Sequence, residues 1–224
     1  MARSPLNSTE FASALIANMK DSVDRVEIDT PYSFSIYTRR FPTARIGVLS
    51  SIQVTADDVQ RLLEVDPDVE FIVNIPKAGI WQGAAIQVLG EAGIAFGPIK
   101  HLMSAVGGRR DEEVLRDFIH AETKYFQTIL TQHGNLHRLI RLTDLVYEVH
   151  RKNGPPLLVA GLNEYELAGA TIRAAVAQHG QVSVIFATNP NAWPTSDAYE
   201  VAQSMGIELF HERRKFYHRL HIPS

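Results

Sequence analysis

The stretch Val182 to Phe210, VSVIFATNPNAWPTSDAYEVAQSMGIELF, reads as strand, polar loop, helix, strand. Val182–Ala187 is short, apolar and β-branched, as a strand buried on both faces should be. Asn189-Pro190-Asn191 breaks it, and Thr195, Ser196 and Asp197 offer oxygens to cap a helix. Ala198, Val201, Ala202 and Met205 recur at helical spacing before Gly206 stops the helix ahead of Ile207–Phe210. The same order of signals appears earlier, in VEFIVNIPKAGIWQGAAIQVLGEAGIAF from Val69 to Phe96. Val69 and Val182 lie 113 positions apart, and so do the pairs Gly93-Ile94 and Gly206-Ile207. Identities at this offset are few, so the matching order and length of elements carries the reading of a two-fold repeat.

Working outward, each half begins with a helical stripe, around Phe11–Met19 in the first and Val114–Ile129 in the second. Two alternating strands follow, Val26–Asp29 with Tyr32–Tyr37, and Leu136–Leu142 with Leu145–Val149. A short buried strand comes next, Arg45–Leu49 or Leu157–Leu162, then a helix, and then the stretches quoted above. The helix expected to open the later half, lined by Val114 to Ile129, is continuous over about twenty residues, to near Gly134. Residues 97–110, with Gly97-Pro98 and Gly107-Gly108, read as an end segment and linker. The expected domains are therefore residues 1–110 and 111–224.

The chain has 224 residues, 45% hydrophobic and 21% charged, enough for two cores of ordinary size. A formal charge of −3 gives no global attraction to nucleic acid. The absence of cysteine excludes disulfides, thiolate metal ligands and a Cys nucleophile. The start MARSPLNSTEF has no apolar signal core, and no run approaches the roughly 18 apolar residues of a membrane span. A cytoplasmic protein without membrane partners is expected.

The order αβββαβαβ in each half resembles the core of the restriction-endonuclease-like fold, the PD-(D/E)XK superfamily. Within it, Leu157–Leu220 is similar to the end of Mrr-type nucleases, through Thr195-Ser196-Asp197-Ala198 and Gly206-Ile207-Glu208-Leu209. The fold expected is thus α/β, two tandem restriction-endonuclease-like repeats forming a pseudo-dimer. A Rossmann-like doubly wound sheet is the alternative, though it fits three successive strands less well. The resemblance implies a metal-dependent nuclease whose carboxylate, Glu or Gln, and Lys hold Mg²⁺ and position a water. At the positions where it expects the acidic residue and Lys stand Ala160 and Leu162, with Gly47 and Leu49 in the first half. Asp144 is the remaining candidate for the first carboxylate, and its counterpart is Pro31. One carboxylate alone holds Mg²⁺ poorly. Both halves therefore read as catalytically lapsed, and Mg²⁺ is expected only if the active site is displaced.

Three constellations remain. Asn74, Lys77 and Trp81 in one half, and Asn189, Asn191, Trp193, Thr195 and Ser196 in the other, follow strand ends where open α/β sheets collect ligands. Asn163 and Glu164 end the neighbouring strand, and Glu164 is the one residue there able to act as a base. A base or apolar group could stack on the indoles; the plainer reading is that both rings are buried packing. Arg213, Arg214, Lys215 and Arg219 cluster near the C-terminus, with Arg109-Arg110 in the linker and Arg39-Arg40 and Arg45 between strands. Gathered on one face these would meet phosphates; separately they are solvated surface. His218 and His221 would be helical neighbours able to share a metal, but no HExxH accompanies them. No Walker loop, GxGxxG or GxSxG is present. A non-catalytic binder of nucleic acid or of a protein partner is the leading expectation. A small-molecule or nucleotide site at the Trp81 and Trp193 loops is the alternative. Enzyme or binder, ligand identity and self-association stay open from sequence.

Overall fold

The computed structural model describes residues 5–38, 42–108 and 114–222. The chain forms two compact units, Met1–His120 and Ala121–Ser224. In the first, α1 (Pro5–Ala17) precedes β1 (Arg25–Thr30), β2 (Ser33–Tyr37) and β3 (Ala44–Leu49). Then come β4 (Gln53–Val54), α2 (Ala56–Val65), β5 (Phe71–Asn74), β6 (Ile80–Trp81), α3 (Gly83–Ala92), β7 (Ala95–Pro98) and α4 (Ile99–Gly108). The second unit repeats the order. It runs α5 (Ala121–Thr131), β8 (Leu136–Arg141), β9 (Val146–Arg151), β10 (Leu157–Leu162), β11 (Glu166–Leu167) and α6 (Gly169–His179). It closes with β12 (Val184–Ala187), β13 (Trp193–Pro194), α7 (Ser196–Ser204), β14 (Glu208–Phe210) and α8 (Arg213–His221).

Each unit holds one five-stranded mixed sheet, ordered β1-β2-β3-β5-β7 in the first and β8-β9-β10-β12-β14 in the second. The first three strands pair antiparallel and the last three parallel. A wholly parallel Rossmann sheet is thereby set aside. The hydrogen bonds repeat at the same offset of 113. Val48 N–H donates to Tyr32 O at 2.7 Å, and Gly161 to Leu145 at 3.0 Å. Gln82 N–H donates to Val54 O at 3.0 Å, and Thr195 to Leu167 at 2.9 Å. Chance patterning gives similar helices and strands; it does not give the same ladder bonds residue for residue. The chain is an internally duplicated α/β protein.

Burial explains the layers. In the first unit Ala12, Ile16, Leu102 and Val106 of α1 and α4 cover one sheet face, while Val59, Leu62, Ala85 and Leu89 of α2 and α3 cover the other. In the second, Phe126, Leu130, Phe216 and Leu220 of α5 and α8 lie on one face, and Ile172, Ala198 and Val201 of α6 and α7 on the other. The central parallel strands are thus buried on both sides, which is why they read as continuous apolar runs.

Two expected elements differ. The long helix from Val114 is broken into a 3-10 turn at Leu115–Asp117 and α5. Leu115 and Phe118 join the core of the first unit, so the chain leaves helical geometry to place them there. Of the expected end segment and linker at residues 97–110, Ile99–Gly108 form α4, because Leu102, Ala105 and Val106 have a sheet face to cover, and residues 109–110 lie outside the described residues. The repeat is therefore αβββαβαβα, with a two-strand parallel ladder, β4-β6 or β11-β13, added in each unit.

Gly93 and Gly206 end α3 and α7 with φ of 65° and 70°, in open space with nothing near a Cβ. Alanine at either position meets only the backbone penalty of the left-handed conformation, about 1 kcal/mol. Gly93→Ala and Gly206→Ala should therefore lower stability by similar amounts, measured as ΔΔG in urea unfolding.

Candidate functional site

The sequence places two groups of candidates at the carboxyl ends of the parallel strands, and the structure separates them by role. Asn74 is 2% exposed. Its Oδ1 accepts from Ser51 N–H at 3.0 Å and its Nδ2 donates to Ser51 O at 2.9 Å. Both ends of the amide are engaged in pinning one strand-end loop to another, so Asn74 is a structural clamp. Lys77 is exposed on the adjoining turn, where Gly79 N–H donates to Pro76 O at 2.9 Å.

The two tryptophans are not matched platforms. Trp81 is 2% exposed and its ring lies 4.8 Å from that of Phe96. Trp193 is 73% exposed. The two are one step out of register: Trp81 pairs with Val54, while Trp193 pairs with Glu166 as Ile80 pairs with Gln53. Ile80 and Trp81 are both buried in the first unit, whereas Trp193 stands outside the core of the second.

Around Trp193 the polar candidates serve the loop and the helix starts. Asn189 Oδ1 accepts from Asn191 N–H at 2.9 Å, closing a turn. Thr195 caps α7, its Oγ1 accepting from Ala198 N–H at 3.2 Å, and Ser196 is exposed at the first helical position. Asp197 Oδ2 accepts from Gly169 N–H at 3.0 Å at the start of α6. Both helix N-termini thus already meet protein oxygens, one of them a carboxylate, which disfavours an anion there. Asn163 is half-buried and Glu164 exposed beside them.

The catalytic candidates Asp144 and Glu164 stand on two loops at the same end of β10, where Gly161 N–H donates to Leu145 O. Ala160 and Leu162 are buried in an apolar cluster with Ile172 and Val201, and no carboxylate replaces them. Asp144 lies in the β8-β9 turn beside Arg141, whose Nη2 donates to the Asp144 carbonyl at 2.9 Å and whose Nε donates to Thr143 O at 3.2 Å. Burial lowers the Arg141 pKa, and the charges of Tyr147 and Asp144 oppose that shift. Asp144 thus sits in the field of a fixed cation, and Glu164 lies beyond β10 on another loop.

The basic candidates do share an element. Arg213, Arg214, Lys215 and Arg219 all lie on α8, whose Phe216 and Leu220 are fully buried. Those two side chains fix which face looks outward. Three of the four cations line an open groove of about 650 Å³ between α8 and β14, together with His218 and Phe210. Arg219 Nε bonds Glu208 at 2.6 Å, and Lys215 bonds Glu212. The latter bond raises the Lys215 pKa and lowers that of Glu212. Arg213 lies over the Tyr217 ring at 5.7 Å, and Arg214 is exposed with no ion pair among the described residues. Arg45, by contrast, is tied to Asp66 at 2.7 Å in the first unit. Arg39, Arg40, Arg109 and Arg110 lie outside the described residues.

What holds α8 in place escaped the sequence reading. Arg151, 5% exposed, donates through Nη1 to Ile222 O at 2.7 Å and Arg219 O at 3.5 Å, at the carbonyl end of the helix. Asn135 Nδ2 adds a buried bond to Leu220 O at 2.9 Å. A cation and an amide thus satisfy carbonyls that the helix leaves open. The signal was slight: an Arg closing the second hairpin strand, where the first unit has Thr38. The His101 and His120 rings stack with centroids 3.8 Å apart, and they are not the pair singled out by spacing on α8. His218 is exposed, while His221 turns toward His133, with ring centroids 5.8 Å apart.

Comparison with family models, curated proteins and solved structures finds no match to this chain.

His133 is 5% exposed, with neither ring nitrogen hydrogen-bonded among the described residues. Burial, then the positive charges of His221, Arg151 and Lys152, holds its pKa down at about 4. The unfolded chain takes up this proton near pH 6.5 and the folded one does not. Stability from this group is therefore complete above about pH 6.5 and is lost as pH falls toward 4, by up to about 3 kcal/mol. Urea midpoints at pH 5 and pH 7.5 should differ, and His133→Phe should shrink that difference.

Proposed function

We propose that this protein binds nucleic acid without cutting it, through the outward face of α8. The observation that carries the reading is a short helix, fixed by two buried side chains and a buried arginine, that bears Arg213, Arg214, Lys215 and Arg219, three of them along one groove. A rigid array of cations meets a phosphate backbone without first losing conformational freedom. Arg219 and Lys215 already have carboxylate partners, which leaves Arg213 and Arg214 as the principal phosphate contacts. With few contacts of this kind, binding depends on salt and only weakly on sequence.

The finer reading is that each unit descends from a restriction-endonuclease-like ancestor whose catalytic set has lapsed. The repeat order and the mixed sheet support it. The apolar Ala160 and Leu162, at the positions where the family's acidic residue and Lys are expected, support the loss of Mg²⁺ chemistry. Two or more oxygen ligands must converge on that ion, and the Ala160 and Leu162 side chains offer none.

Fluorescence anisotropy with a labelled oligonucleotide at two salt concentrations tests the proposal. Arg213→Ala/Arg214→Ala should weaken binding by about ten-fold or more at low salt and reduce the salt slope by about 2. Asp144→Asn should leave it unchanged. Mg²⁺-dependent cleavage that Asp144→Asn or Glu164→Gln abolishes would overturn the reading.

A further inference from the structure

Trp193 and the acids around it form a second surface of opposite chemistry. An indole 73% exposed contributes little to the fold, yet its backbone is fixed. Trp193 N–H donates to Tyr165 O at 2.9 Å, and buried Ala192 and Pro194 flank it. Its cross-strand partner is Glu166, so the carboxylate and the indole leave the small ladder on the same face. Tyr165, 70% exposed, follows Glu164, which is also exposed. Neither Glu164 nor Glu166 has an ion pair among the described residues. Asp197 and Thr195 occupy the helix N-termini alongside, so the neighbourhood is closed to anions. The first unit has Ser51, Ile52, Gln53 and Ile80 at the equivalent positions, without charge or exposed aromatic ring.

We propose that this surface docks a basic segment of a partner protein, anchored by an arginine whose guanidinium stacks on Trp193 and pairs with Glu166. The charge complementarity is direct: the carboxylates attract a cation, and the indole face prefers a planar one. Arginine satisfies both demands at once, through stacking and a forked donor set, whereas lysine offers only a point charge. Exposed tryptophan and tyrosine on a rigid backbone are also the residues on which interface energy concentrates. The surface is separate from the cations of α8 and does not rest on the nucleic-acid reading.

The test titrates the full-length protein with nona-arginine and with nona-lysine while following tryptophan fluorescence. Trp81 is buried, so the response reports Trp193. Nona-arginine should bind about five-fold or more tightly than nona-lysine. Glu164→Gln/Glu166→Gln should weaken it by a similar factor, and Glu64→Gln/Glu91→Gln, a matched charge change elsewhere, should not. Equal affinity for both peptides, or equal loss in both double variants, would overturn the proposal. Saturation of the same response by tetramethylammonium would overturn it in favour of a small-cation site.

Discussion

The parallel ladder at the centre of each sheet is the constraint from which the rest follows. β3 and β5 in one unit, and β10 and β12 in the other, lie inside their sheets and are covered on both faces. Their backbone groups are shut off from water and pair with the neighbouring strands in one register. Parallel strands need crossovers, the crossovers here are helices, and those helices supply the apolar cover. The carboxyl ends of the strands then become the places where loops are free to vary. Both surfaces discussed above begin there.

The two units show how duplicated copies diverge once the ladder is held constant. Their backbone bonds match, but the helix after the last strand does not. α4 is IKHLMSAVGG and nearly apolar, whereas α8 is RRKFYHRLH, with only Phe216 and Leu220 buried. Arg151 and Asn135 brace α8 where the first unit has Thr38 and Ser22. The β11-β13 ladder exposes an indole where β4-β6 buries Ile80. The charged and aromatic surfaces described above belong to the second unit.

Much of this architecture was legible in the sequence, because buried parallel strands impose short apolar runs and their helices end at glycines such as Gly93 and Gly206. The repeat could be read from those signals at one offset. Less legible were elements whose residues answer to distant partners. Leu115 and Phe118 look helical in isolation, but the first unit's core draws them out of α5's path. At the site, the cations of α8 could be grouped from their spacing. The opposite fates of Trp81 and Trp193 could not: their one-residue slip shows at the offset of 113, but Ile80, in register with Trp193, is buried, so ladder position alone does not decide exposure. Arg151 was invisible because its acceptors on α8 lie some 70 residues away.

Hydrogen exchange with and without a short oligonucleotide locates the binding surface without relying on any substitution. If α8 carries the function, added protection falls on residues 213–221 and on the β8-β9 residues that brace them. Protection confined to residues 163–166 and 188–195, with α8 unchanged, would contradict the account.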